Sequence, residues 1–181
     1  FLTRHAHHLA PGSTVLAVAD GEGRNSVWLA GQGMQVTAMD SSTVGQDKAR
    51  ALAAHKGVTV DFQLGDINAW DWDAAQYDAI VAIFIQFVGP DLRAAVFRGL
   101  DRALKPGGLL LLHGYAPRQV EYATGGPKAV ENMYTLDLLQ GAFPGYGILH
   151  QADYDADIDE GAGHSGCSGL IEFVACKPKE T

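Results

Sequence analysis

Val15-Leu16-Ala17-Val18-Ala19-Asp20-Gly21-Glu22-Gly23-Arg24-Asn25-Ser26, running on into Val27-Trp28-Leu29-Ala30, decides how the rest of the chain is read. A short apolar run gives way to a glycine turn and then to a segment of helical character. An apolar run of this length, bounded by turn residues, reads as a buried parallel strand. Gly21 and Gly23 have no Cβ, so the backbone there can turn sharply and approach a ligand closely. The helix after the turn aims its first N–H groups at the same spot. In open α/β sheets this junction, at the carboxyl end of a strand, is where nucleotides bind.

The next strand strengthens the reading. Gln35-Val36-Thr37-Ala38-Met39-Asp40 ends on an acid 20 positions after Asp20. A carboxylate at the tip of the second strand can accept hydrogen bonds from both hydroxyls of a ribose. Val15 to Asp40 therefore has the layout of a nucleoside-binding β-α-β unit. A second role is open to Asp40, as a cap for the helix that starts near Ser42, since Asp and Ser are both good N-caps. The two roles are compatible.

Composition bounds the function. A chain of 181 residues, 47% hydrophobic and 9% aromatic, suits one globular domain with a sizeable core, here taken as 1–181. A formal charge of −8 argues against nonspecific nucleic-acid binding, which needs a basic face. The longest apolar run, Leu109 to Leu112, is strand-sized and far short of a membrane span. No charged-then-apolar leader opens the chain. The start at Phe1 rather than Met suggests that an N-terminal segment precedes it. The two cysteines, Cys167 and Cys176, make no disulfide framework and are expected as free thiols in a reducing cytoplasm. His5, His7 and His8 lie near an N-terminus expected to fray. With His113, His164 and Cys167 they show no metal-ligand spacing, so no metal is expected. The sequence carries no mark of an oligomeric state.

Strands and helices alternate along the chain. Strands are expected at about 13–19, 35–40, 58–63, 77–83, 108–115, 145–153 and 169–177, and helices at about 24–32, 43–56, 90–104 and 131–141. Such alternation means a mostly parallel sheet covered on both faces. In the 90–104 helix Leu92, Val96 and Leu100 make one buried face, and Pro90 suits its first turn. The polar stretch from Asp66 to Asp73 has no helical period, so the crossover before the fourth strand is short. Ala116 to Pro127 reads as a loop. The acidic, then glycine-rich stretch 153–166 reads as a hairpin connection, which makes the last two strands antiparallel.

Two further motifs complete the pattern. Tyr77-Asp78-Ala79-Ile80-Val81-Ala82-Ile83-Phe84 is a buried strand. Leu104-Lys105-Pro106-Gly107-Gly108 followed by Leu109 to Leu112 is a helix end, a turn with glycine at positive φ, and another buried strand. In order and spacing, the glycine turn, Asp40 and these two motifs resemble the class I S-adenosylmethionine (SAM)-dependent methyltransferases over nearly all of residues 13–113. The segment from Asp20 to Ala30 and the ending Asp159 to Pro178 are similar to the small bacterial tellurite-resistance and thiopurine-type members. The resemblance implies an α/β, Rossmann-like three-layer sandwich whose mostly parallel seven-stranded sheet has the order 3-2-1-4-5-7-6 with strand 7 antiparallel. Two positions depart from the usual pattern: Ala17 stands for the strand-1 acid and Ala19 for the first glycine of the turn.

The resemblance also implies roles. Backbone around Ala19, Asp20, Gly21 and Gly23 approaches the methionyl part of SAM. Asp40 takes the ribose hydroxyls, with Ser41 beside the adenine. Asp66 accepts from the adenine amino group and Ile67 packs on the ring. Backbone near Ile83 meets the methionyl ammonium. The implied activity is methyl transfer to a small-molecule acceptor, such as an oxyanion or a thiol, with no nucleic-acid or membrane partner. Because SAM carries its own activation, the protein must chiefly align the nucleophile and keep the site dry. A base is needed only if the acceptor binds protonated. Candidates are His113 and Tyr115 at the end of strand 5, Asp66, and His164 in the hairpin, which with the strand-5 end would shape the acceptor site. Arg24 and Arg118 are candidates for an anionic acceptor, and Phe84, Phe87, Tyr115 and Tyr122 for an apolar one; core packing or a solvated surface is the alternative for each. A non-catalytic SAM-binding module is a competing reading. A nicotinamide oxidoreductase is another, although Ala19, Gly21 and Arg24 occupy the positions where it wants Gly-x-Gly-x-x-Gly.

Overall fold

A computed structural model describes residues 1–73, 75–122, 124–159 and 165–179. In chain order its elements are α1 (Leu2–His5), a 3-10 turn (Ala6–His8), β1 (Thr14–Val18), α2 (Arg24–Gly31), β2 (Gln35–Asp40), α3 (Thr43–Lys56), β3 (Asp61–Leu64), β4 (Tyr77–Ile83), α4 (Pro90–Ala103), β5 (Leu104–Tyr115), α5 (Gln119–Tyr122), a second 3-10 turn (Val130–Asn132), α6 (Leu136–Ala142), β6 (Gly147–Asp159) and β7 (Ser165–Cys176). The sheet order is β3-β2-β1-β4-β5-β7-β6, as expected. β1 to β5 pair in parallel, and β7 runs antiparallel to both β5 and β6.

Both faces of the central strands are buried, which explains their near-continuous apolar sequence. Leu16, Ile80, Leu110 and Phe173 face the layer holding α4 and α6. Val15, Val81, Leu111 and Val174 face the layer holding α2 and the N-terminal segment. The apolar stripe of α4 (Val96, Phe97, Leu100, Ala103) supplies much of the first core. Gly107 takes φ 77°, as the Pro-Gly turn requires, and the β4–β5 register shifts beside it, between Tyr77 and Ala79.

The structure corrects several boundaries. The expected helix at 131–141 is a 3-10 turn followed by the shorter α6, whose Thr135 hydroxyl accepts the Leu138 N–H at 3.2 Å. The expected loop at 116–127 contains α5. The last two strands are far longer than expected and absorb most of the acidic stretch. In β6 the acids Asp153, Asp155, Asp157 and Asp159 point outward while Tyr154, Ala156 and Ile158 pack inward. Charges on an edge strand also discourage pairing with a second sheet. The N-terminus does not fray: Leu2 and Leu9 are buried, and His5 is only 7% exposed. Among the described residues no helix is long and apolar enough to cross a membrane. Cys167 and Cys176 are free thiols on β7.

Candidate active site

The β1–α2 turn and the end of β2 are tied together by one carboxylate. Asp40 Oδ2 accepts the Gly21 N–H at 2.8 Å, and Oδ1 accepts the Ser42 N–H at 2.7 Å. Ser42 itself caps α3, its hydroxyl accepting the Gly45 N–H at 3.0 Å. Asp40 is thereby spared the helix-capping role and braces the glycine turn instead. The two glycines differ in what they do. Gly21 has φ 61°, and a Cβ there would meet nothing within 4 Å, so its backbone borders open space. Gly23 has φ 83°, and a Cβ there would lie 2.6 Å from Ala49 Cβ, so its bare backbone lets α2 and α3 pack closely. Asp20 turns its carboxylate to Ser26, accepting the backbone N–H at 3.1 Å and the hydroxyl proton as well. Burial pushes its pKa up to about 6, against the two Ser26 hydrogen bonds. The Asp20 carboxylate is thereby spent within the turn.

Three hollows lie along the carboxyl edge of the sheet. The first, of about 330 Å³, is lined by Ala19, Asp40, Ser41, Asp66 and Ile67, five residues singled out by sequence. Asp66 is exposed, and its Oδ1 accepts the Asn68 N–H at 2.9 Å; Ile67 is 4% exposed. The second, of about 210 Å³, lies on the far side of the glycine turn between Arg24, Asn25 and Trp28 of α2, Ile83, His113 and the N-terminal Phe1 to Thr3. The third, of about 470 Å³, opens between Tyr115, Gln86 and the segment Gly126 to Asn132. It shares Phe84 and Phe87 with the first.

Backbone strain marks this junction. Ala19 and Phe84, at the carboxyl ends of β1 and β4, have φ of 50° and 55°. Left-handed backbone costs a non-glycine residue about 1–3 kcal/mol and persists where the surroundings over-determine it. At Phe84 the turn sends the ring between two neighbours, with centroids 4.9 Å from His113 and 4.8 Å from Tyr115. The buried Gln86 side chain then clamps the backbone of Tyr115, its Nε2 donating to the carbonyl at 2.8 Å and its Oε1 accepting the N–H at 2.5 Å. Sequence reading missed Gln86 and the Lys128–Asn132 wall, because nothing local marks a side chain that bonds backbone 29 residues away.

The proposed acid–base candidates separate in space. His113 lines the second hollow, not the third. Its Nδ1 lies 3.0 Å from the Ile171 carbonyl, to which it donates, and Phe1 stacks on its ring at 4.8 Å. Burial pushes its pKa down to about 4, which leaves it a weak base at neutral pH. Tyr115 walls the third hollow and is 1% exposed. His164, with the hairpin tip 160–164, lies outside the described residues. Arg118 is engaged by Asp153 and by Asp155, the latter at 2.6 Å. Tyr122 hydrogen-bonds Asp155, away from the hollow.

A glycine turn braced by a strand-end acid thus stands at the carboxyl edge of the sheet, where open α/β folds bind nucleotides. Residues 15–108 match the family model described as a methyltransferase domain. The chain belongs to that family. It is 36% identical over 104 residues to a protein-L-isoaspartate O-methyltransferase of Methylorubrum extorquens, covering 58% of this chain and 42% of that protein. The chain thus spans about two-fifths of the length of this curated relative. Among solved structures it resembles TehB of Haemophilus influenzae at a TM-score of 0.80 and 18% identity, covering 97% of this chain and 61% of TehB. A SAM-dependent methyltransferase of Methanosarcina mazei superposes at a TM-score of 0.80 and 16% identity, covering 99% of both chains. At these identities the structural likeness speaks for the fold alone. SAM is the methyl donor of the family, and the open backbone at Gly21 beside the Asp40 carboxylate fits a ligand of that kind.

Proposed function

We propose that this methyltransferase domain transfers a methyl group from SAM to a small, largely apolar acceptor seated between Phe84, Phe87 and Tyr115. In this reading Asp40 holds the ribose, with Ser41 beside the adenine, and Asp66 and Ile67 hold the adenine. Backbone at Ala19, Asp20 and Gly21 and near Ile83 borders the methionyl part, and Gly23 contributes through the packing of α2. The cation of Arg24 suits the methionyl carboxylate. When bound, SAM supplies an electrophilic methyl group on a sulfonium leaving group.

The observation that carries the reading is the junction of two hollows through Phe84 and Phe87. A donor in the smaller one faces an acceptor in the larger one across the same two rings, which line both. The larger hollow has the volume of a drug-sized ligand site and aromatic walls with a few polar groups, Gln86, Lys128 and Asn132. Such walls favour an apolar body bearing one nucleophile. An oxyanion would want several free cations, and Arg118 is already committed to two aspartates. His113 does not line the acceptor hollow and is held neutral, so in this reading the acceptor binds unprotonated, as a thiolate or an amine lone pair.

The test is an acceptor panel of aromatic thiols, phenols, amines and tellurite, read as S-adenosylhomocysteine formed. Turnover with apolar thiols or amines and none with tellurite is expected. SAM binding without turnover on any acceptor would replace this reading with a SAM-binding module.

A further inference from the structure

Away from the three hollows, one cluster of titratable side chains has no part in this chemistry. Glu172 lies mid-strand in β7 at 2% exposure, between Ile171 and Phe173, where a charge is costly without partners. Its two oxygens are used differently. Oε1 takes Arg4 and the Tyr154 hydroxyl. Oε2 faces two imidazoles, with His5 Nε2 at 3.1 Å and His150 Nε2 at 2.9 Å. The three ligand atoms lie within 4.8 Å of one another. Tertiary structure alone assembles them, from α1, β6 and β7.

We propose that His5, His150 and Glu172 bind one divalent transition-metal ion of the zinc class, which pins the N-terminal segment to the sheet. Two imidazole nitrogens and a carboxylate oxygen are a donor set suited to zinc, iron or nickel rather than to magnesium or calcium. Two atoms bound to one ion at about 2.1 Å are separated by about 3.0 Å at right angles and about 3.4 Å at the tetrahedral angle. The 3.1 and 2.9 Å carboxylate–imidazole spacings fall in or near that range, and the two imidazole nitrogens, within 4.8 Å of each other, must close together for both to reach one ion. His150 is part-exposed, which gives an entry path and room for water in a further position. The consequence reaches the site already described. His5 is two residues from Thr3, and Phe1 to Thr3 wall the second hollow while Phe1 stacks on His113. An ion on His5 fixes that wall.

The test is zinc titration of the chelator-treated chain by calorimetry, with bound metal counted by elemental analysis. One ion per chain is expected. At a hundredfold excess over Kd the melting midpoint should rise by about 5–10 °C. His150→Ala, at a part-exposed position, should fold and lose at least tenfold in affinity. Glu172→Gln should lose binding too, and the paired change His7→Ala and His8→Ala should leave it intact. Cobalt in place of zinc should give the visible bands of nitrogen and oxygen ligation without thiolate charge transfer. No stoichiometric binding, equal binding by His150→Ala, or a thiolate signature from Cys167 or Cys176 would overturn the proposal and leave Glu172 as a hydrogen-bonded clamp.

Discussion

Replacing Asp40 by alanine tests the bracing of the glycine turn and the binding of the donor together. The substitution removes two charge-assisted hydrogen bonds, to Gly21 N–H at 2.8 Å and Ser42 N–H at 2.7 Å, and the acceptor proposed for the ribose hydroxyls. Hydrogen bonds to a charged group are worth about 1.5–3 kcal/mol each in a protein. Loss of the ribose contact alone therefore predicts SAM affinity lower by about ten- to a hundredfold, with any loosening of the turn adding to it. Stability should fall less, because the freed N–H groups lie at an open edge where water replaces the carboxylate. Asp40→Asn separates the terms: its amide oxygen still accepts one backbone N–H, so the melting temperature should recover while affinity stays low. The assay is titration calorimetry with SAM and S-adenosylhomocysteine beside thermal melts of the same samples. Wild-type affinity in Asp40→Ala would refute the assignment, and affinity that recovers together with the melting temperature in Asp40→Asn would show that Asp40 acts only through the turn.

Gly23→Ala should destabilise the fold by about 1–3 kcal/mol, from positive φ and the 2.6 Å overlap with Ala49; Ala49→Gly should restore part of the melting temperature, and no rescue would place the clash elsewhere. Gly21→Val should instead abolish SAM binding with little packing cost, since that Cβ meets open space; a binding-competent Gly21→Val would show that the turn does not approach the donor. Asp20 holds its proton more tightly folded than unfolded, with a pKa up to about 6 against 3.8, so its contribution makes stability fall as pH rises from about 4 to 6 and stay flat above. Asp20→Asn should remove that slope and be the more stable protein at pH 7; chemical denaturation at pH 4, 5, 6 and 7 checks it, and identical slopes in the two proteins would refute it. Tyr115→Phe should keep kcat within about threefold if the ring acts as a wall, whereas general acid–base work would cost about a hundredfold or more.

The sequence by itself determined the local elements whose cause is local. The Val15 to Val18 run, the glycine turn and the acid ending Gln35 to Asp40 each carry their conformation in their own side chains, and with the alternation of strands and helices they specify the sheet. Ser42 could be read as a cap, because a hydroxyl three residues before an amide is a neighbour in sequence. Even the length of β6 was legible in the two-residue alternation from Asp153 to Asp159, but the density of acids there resembles a solvated loop. Only the tertiary structure decided the rest. The split between Gly21 and Gly23 depends on Ala49 of another helix. The strained Phe84 depends on the packing around it, and Gln86 on a strand 29 residues ahead. His5, His150 and Glu172 meet because two antiparallel strands and an N-terminal turn share one face of the sheet. Short-range sterics and hydrogen bonds are written in order along a chain, whereas contacts across long loops form only once the sheet has fixed which side each residue faces.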